Sequence, residues 1–336
     1  VTQYVYRVRD NSILTPAFKK FILFPLAARF PRWIPANIIT IVSNLCIYAT
    51  LVVSAALEPF PLLRFITLAL LVLIYLTGDH LDGLQAKRTG TSSPLGEFVD
   101  HYMDAYNNIV YLLVIFSVFH ISNPYIVSFI FFVSYSAHAS VFYEQYRTGW
   151  LVFEKIGPFE AFGLLILVFL LCCIPGFRLF MQYPLGRDVN MAAAFFLMLS
   201  TGTLYTLVKA LFRAGKNVYG FYLFLFLLLL VTLAGLSLPF RASINPWIIA
   251  LYSIHYVGML IKSHLIDDKY RMPDLIVPSF LLLCMVFPSI APEYSDIIVF
   301  IYLAVRCLIS AAHTVYLLHT HWVWVNPVEG TITNKD

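Results

Sequence analysis

The sequence predicts an all-α fold: a polytopic integral membrane helix bundle of about ten transmembrane helices, with an N-terminal interfacial amphipathic helix. Three observations predict it. Of 336 residues, 60% are apolar and 12% charged, whereas a soluble domain is about half apolar and about a quarter charged. The mean hydropathy is +0.80, and the apolar residues come in blocks near the roughly 20 that cross a bilayer's hydrocarbon core. Finally, lysine and arginine crowd into alternate loops, as the positive-inside rule requires.

Before the first span, "LTPAFKKFILFPLAARFPRW" (14–33) mixes apolar residues with Lys19, Lys20, Arg29 and Arg32. Such a segment is expected to lie against anionic headgroups. No cleavable signal peptide is expected, because these charges and three prolines interrupt the first apolar run. Ten blocks follow, at about 38–57, 61–79, 99–121, 124–143, 158–175, 189–212, 218–238, 246–263, 274–291 and 294–318. The ninth is the weakest, broken by Pro278 and Pro288. With both termini and the even-numbered loops on one side, that side holds seventeen basic residues and the other four; Arg306 falls inside the last block. The seventeen mark the cytoplasmic face. The net charge of +4 thus reports membrane topology and gives no reason to expect nucleic acid. The tail "NPVEGTITNKD" is polar. All five cysteines lie in apolar stretches without metal or disulfide spacing and read as small buried hydrophobes.

Against this background "GDHLDGLQAKRTGTSSPLGEFVDHYMDAYN" (78–107) stands out, with aspartates at 79, 82, 100 and 104. Asp79, Asp82, Gly83 and Ala86 fall at i, i+3, i+4 and i+7, one stripe of a helix; Gly96, Asp100 and Asp104 fall at i, i+4 and i+8 on the next. The intervening "KRTGTSSPL" contains turn residues. Four carboxylates at a membrane interface cannot remain ionised and unpaired, and Lys87 and Arg88 neutralise at most two. A salt-bridge network is one answer. Hard divalent cations, magnesium, manganese or calcium, fit an all-oxygen donor set better. Such ions beside Lys87 and Arg88 would make a phosphate site, most simply for a diphosphate.

This stretch resembles the signature of the CDP-alcohol phosphotransferases, Asp-x-x-Asp-Gly-x-x-Ala-Arg, eight residues, then Gly-x-x-x-Asp-x-x-x-Asp. Here Asp79, Asp82, Gly83, Ala86, Lys87, Gly96, Asp100 and Asp104 occupy it with every gap kept. One position departs, Lys87 for arginine, and only Arg88 next to it could restore a bidentate fork. "KRTGTSSPLGEFVDH" is similar to the choline and ethanolamine phosphotransferase branch. So are "ANIIT" (36–40), which keeps Asn37 and Thr40 but has Ala36 for proline, and "YEQYRTGWLVFEKIGPFE" (143–160). Ten spans fit that branch, whereas smaller members have six. The match is specific through residue 160 and architectural beyond it.

The resemblance implies transfer of a phospho-alcohol from a CDP-linked donor to an acceptor hydroxyl with release of CMP. In this branch the donor would be CDP-choline or CDP-ethanolamine and the acceptor diacylglycerol, a lipid drawn from the membrane. A CDP-diacylglycerol donor with a soluble alcohol is the alternative within the family. The resemblance further implies two Mg2+ or Mn2+ ions on Asp79, Asp82, Asp100 and Asp104. Gly83, Ala86 and Gly96 would admit the nucleotide, Lys87 would touch phosphate, and Asn37 and Thr40 would reach the nucleotide. Asp104 is the favoured general base, with His101 its rival. Glu144 and Glu160, near Tyr143 and Tyr146, are candidates for headgroup contact. A homodimer is expected, in the endoplasmic reticulum or a bacterial inner membrane, with the active site facing the cytoplasm. The chain then divides into an interfacial segment (1–37), a catalytic six-helix core (38–212), four additional helices (213–320) and a polar tail (321–336), all within one membrane domain.

Other polar residues read as structural. Arg306 must face a partner or a cavity, and His138, His255 and His313 fall singly on apolar helices, where interhelical hydrogen bonds are usual. Two functions from other classes compete. An ion-coupled transporter could use the aspartates as a path, although no internal repeat is visible; an inactive scaffold relative would explain Lys87.

Overall fold

The computed structural model describes residues 6–290 and 293–325. Seven of its helices are long and apolar enough to cross a membrane: α3 (Ala36–Ala56), α4 (Pro61–Thr89), α6 (Pro124–Thr148), α9 (Met191–Ala214), α10 (Tyr219–Ser237), α11 (Asn245–Lys262, continued by a π-turn to Asp267) and α13 (Ser295–Val325). An eighth crossing results if α7 (Pro158–Leu171) and α8 (Pro175–Met181), bent by 119° at a short break, count as one. The chain is a helical, multi-pass membrane protein.

The ten expected blocks all fall on helices, but even with the α7–α8 pair counted as one crossing, two do not qualify as spans by length and composition. One is α5 (Pro94–Val118), which is long enough yet carries Glu97, Asp100, Asp104, Asn107 and Asn108. The other is α12 (Ile276–Val286), whose 11 residues reach only about 16 Å at 1.5 Å per residue. At its start Asp274 accepts the backbone N–H of Val277 at 3.0 Å and the hydroxyl of Tyr302 at 2.9 Å. Arg306 lies 3.8 Å from the same carboxylate, so its partner is structural. The expected tail divides: α13 runs helically through Val325, and 326–336 lie outside the described residues.

Before α3, three helical pieces run without a break, α1 (Thr15–Phe18), a π-turn (Lys19–Leu23) and α2 (Phe24–Arg29). Phe18, Leu23 and Ala27 pack with Ile39 and Leu81, while Phe21, Ile22 and Phe24 are exposed. Two small strand pairs join the helices. β1 (Val8–Asp10) runs parallel to β2 (Leu151–Phe153), and β3 (Pro184–Gly186) pairs antiparallel with β4 (Val189–Asn190). All five cysteines are free.

Two local stops set the site. α4 ends at Gly90, whose φ of 70° is the left-handed conformation that closes a helix, with the Thr91 N–H returning to Ala86 O at 2.9 Å. α5 begins three residues later with Ser93 as N-cap, accepting from Gly96 N, and Pro94 in the first turn. This short reversal places the two acidic stripes side by side, with α3 packed against both helices. α11, buried over 83% of its apolar stretch, fills the centre between α5, α6 and α13.

Candidate active site

Carboxylate oxygens of Asp79, Asp100 and Asp104 lie within 4.8 Å of one another. No lysine or arginine pairs with them among the described residues. Asp79 has His80 Nδ1 at 3.5 Å. Asp104 accepts from the Tyr75 hydroxyl at 3.0 Å and from Asn107 Nδ2 at 3.3 Å, and Asn107 also donates to Tyr75 at 3.1 Å. At that spacing each ionised pair repels by about 3 kcal/mol at an effective dielectric constant near 20. Three such pairs approach ~10 kcal/mol, comparable to the whole stability of a typical domain. Protonation of the carboxyls or a bound cation relieves this repulsion, and an all-oxygen set of three acids suits a hard divalent cation.

The fourth acid is not one of the three within 4.8 Å of one another, but it stands near enough that its charge acts on Asp100 and Asp104. Asp82 is 4% exposed and turned toward α3, where the Thr40 hydroxyl donates to its Oδ2 at 2.6 Å, and its Oδ1 accepts the Gly83 N–H. Asp82 thus has a hydrogen-bond partner on α3 while still feeling the charge of Asp79, its neighbour on the sequence stripe.

Asp79, Gly83 and Lys87 fall at i, i+4 and i+8 of α4. Gly83 and Lys87 are exposed, and a Cβ at Gly83 would meet nothing within 4 Å. That face is open. A Cβ at Gly96 would lie 3.4 Å from Ser93 Oγ and 4.0 Å from Asn37 Oδ1, so Asn37 stands beside the start of α5. Ala86 is half-buried, and its carbonyl closes the end of α4. Arg88, the neighbour that could restore the fork, donates Nη2 to Phe30 O, so part of its guanidinium is already engaged.

A family's sequence profile described as CDP-alcohol phosphatidyltransferase matches residues 33–200, half of the chain, and this region contains the whole acidic group. The chain belongs to that family. A CDP-alcohol phosphatidyltransferase class-I family protein of Dictyostelium discoideum, itself uncharacterized, is 31% identical over 215 residues, covering 62% of this chain and 52% of the relative. Cholinephosphotransferase 1 of Saccharomyces cerevisiae is 28% identical over 173 residues, 50% of this chain and 43% of the relative. Choline/ethanolaminephosphotransferase 1 of Arabidopsis thaliana is 37% identical over 112 residues, 31% and 28% respectively. The chain spans about half the length of the relatives it matches, or less.

The remaining polar positions of this CDP-alcohol phosphatidyltransferase family member sort by their neighbours. His101 is 5% exposed: its ring lies 5.4 Å from Phe142 on α6, and Nε2 is 3.1 Å from the Tyr6 hydroxyl. Its Nδ1 has no hydrogen-bond partner among the described residues, with Glu97 Oε1 3.9 Å away. Glu97 is fixed by Gln145 Nε2 at 2.8 Å.

Both candidate headgroup acids are already engaged. Glu144, 1% exposed, takes Arg213 Nε at 2.5 Å and Nη2 at 2.9 Å, and Arg213 also binds Glu154. Glu160 caps its own helix through Gly157 N–H at 2.9 Å and receives Ser12 Oγ at 2.5 Å and the Ile13 N–H at 2.9 Å. It thereby ties the N-terminal segment to α7.

Sequence reasoning missed Tyr75, Asn107 and Gly78. Tyr75 lies one turn before Asp79 and Asn107 one turn after Asp104, so helical spacing was the available signal. Gly78 permits the close approach of α3, since a Cβ there would fall 2.6 Å from Ser43 Cβ.

Proposed function

We propose that this protein transfers a phospho-alcohol from a CDP-linked donor to the hydroxyl of a lipid acceptor, releasing CMP. The observation that carries the reading is the trio Asp79, Asp100 and Asp104, within 4.8 Å and without a lysine or arginine partner among the described residues, inside the matched family region. The names of the partial relatives from yeast and Arabidopsis favour CDP-choline or CDP-ethanolamine as donor and diacylglycerol as acceptor. Divalent ions, two of Mg2+ or Mn2+, would supply positive charge to grip a diphosphate and stabilise the leaving CMP oxygen. Asp79, Asp100 and Asp104 would hold them, with Asp82 joining if it turns from Thr40. Tyr75 and Asn107 orient Asp104. Gly83 leaves room for the nucleotide against the backbone, with Ala86 and Gly96 beside that approach, and Lys87, one turn on, offers a point charge to phosphate. Asn37 and Thr40 approach the same side from α3.

The acceptor hydroxyl must lose a proton. Asp104, within the trio, is the first candidate. A second reading gives the step to His101, favoured by its buried Nδ1 without a hydrogen-bond partner. The positive-inside pattern supports a ten-span topology, with α5 and α12 as the two unconventional crossings and the acidic face toward the cytoplasm. The homodimer, the interfacial role of the N-terminal helix and the division into a six-helix core plus four helices belong to the same reading.

The test is CMP release by the purified chain with Mg2+ or Mn2+, diacylglycerol, and CDP-choline or CDP-ethanolamine. CDP-diacylglycerol with soluble alcohols forms the competing arm. Release that Asp100→Asn abolishes supports the proposal. No release above that variant from any donor–acceptor pair defeats it, and ion flux in liposomes would favour the transporter instead. Asp104→Asn and His101→Asn, compared for Mn2+ binding as well as rate, separate the two bases: the base variant loses rate while keeping the metal.

A further inference from the structure

A second charged centre lies far along the chain from the acidic motif. Lys262, at the end of α11, is 7% exposed, yet no ion pair compensates it among the described residues. Its hydrogen bond is to Nδ1 of His313 on α13, at 3.1 Å. The acid whose charge acts on it, Asp267, is already held by Arg271 through both carboxylate oxygens at 2.9 Å. Arg271 uses its remaining reach on Ser263 Oγ at 2.8 Å. Lys262, Arg271 and Asp267 together leave one positive charge uncompensated.

An ammonium only donates hydrogen bonds, so Nδ1 of His313 accepts and the imidazole proton sits on Nε2. His313 is exposed. It shares its face of α13 with Ile309 and Tyr316, 59% and 64% exposed, which stand one turn to either side. This face thus presents an N–H donor backed by a buried cation, flanked by apolar surface. His313 follows Ser295, the start of α13, by eighteen residues, or about 27 Å of helix. That is close to the roughly 30 Å thickness of a hydrocarbon core. The pair therefore sits at headgroup depth in the leaflet where α13 ends.

We propose that Lys262 and His313 form a binding site for the phosphate of an anionic lipid, approached from the bilayer. His313 Nε2–H would contact the oxyanion, Lys262 would supply the charge behind it, Ile309, one turn deeper, would line the acyl chains, and Tyr316, one turn nearer water, would flank the headgroup. A free phosphate offers the same oxyanion chemistry without the chains, so the two sources are separable. The site is independent of the catalytic reading and its test does not use activity.

The experiment is thermal unfolding of the full chain in neutral detergent, with short-chain phosphatidic acid, short-chain phosphatidylcholine or inorganic phosphate at equal concentration. Phosphatidic acid is expected to raise the midpoint by about 4 °C, and the other two by less than about 1 °C. Lys262→Met and His313→Phe should each abolish the rise, and Lys262→Arg should keep it. A rise of equal size with phosphatidylcholine or with inorganic phosphate overturns the lipid-anion assignment. So does an undiminished response in His313→Phe, which alters an exposed side chain and decides the matter even if Lys262→Met does not fold.

Discussion

Two populations of acid occupy this membrane protein, and they are treated in opposite ways. Outside the motif, five carboxylates meet arginine: Glu144 and Glu154 meet Arg213, Asp296 meets Arg241 at 2.8 Å, Asp274 meets Arg306, and Asp267 meets Arg271, while Glu160 caps its own helix. Inside it, Asp79, Asp100 and Asp104 converge, and among the described residues their hydrogen-bond and ion-pair partners are a tyrosine, an asparagine and a histidine. Breaking a buried ion pair leaves a charge stranded at several kcal/mol, so a fold that pairs its acids elsewhere has reason to leave these three open. The difference separates acids that hold helices together from acids arranged to receive a cation.

The sharpest way to break this comparison is Asp100→Asn. CMP release should fall by about a thousandfold, on the scale of losing a principal electrostatic contributor, while the metal-free protein should melt no lower, because repulsion is relieved. A marked loss of thermal stability would move the trio into the structural class. Arg213→Met tests the other class: it strands Glu144 and Glu154 and should cost about 3–5 kcal/mol in unfolding measurements. Tyr75→Phe removes one hydrogen bond to Asp104, worth about 1.5 kcal/mol for a charged acceptor, and should slow turnover roughly tenfold with little change in melting. Lys87→Arg is the smallest expected change, within about threefold in rate, since the lysine already supplies a point charge. A large gain would show that the bidentate fork matters here.

Much of this was legible beforehand. Leucine-rich blocks must leave water, so helix positions followed from hydropathy, and helical spacing brought Asp100 and Asp104 onto one face. Spacing alone could not reveal that Asp82 turns to Thr40 on α3, since a partner 42 residues away leaves no local trace. It also could not show that α12 stops after 11 residues, or that Glu144 is claimed by Arg213 from α9. Isolated acids in a sequence look alike; their partners distinguish them.

What the sequence determined by itself was the class of molecule, the order of its helices and the motif that marks its family, because hydrophobic length and residue spacing are local properties of the chain. What only the tertiary structure decided was which charges are neutralised from within. That depends on side chains from distant helices meeting within a few ångströms, where electrostatic energies change most steeply with distance.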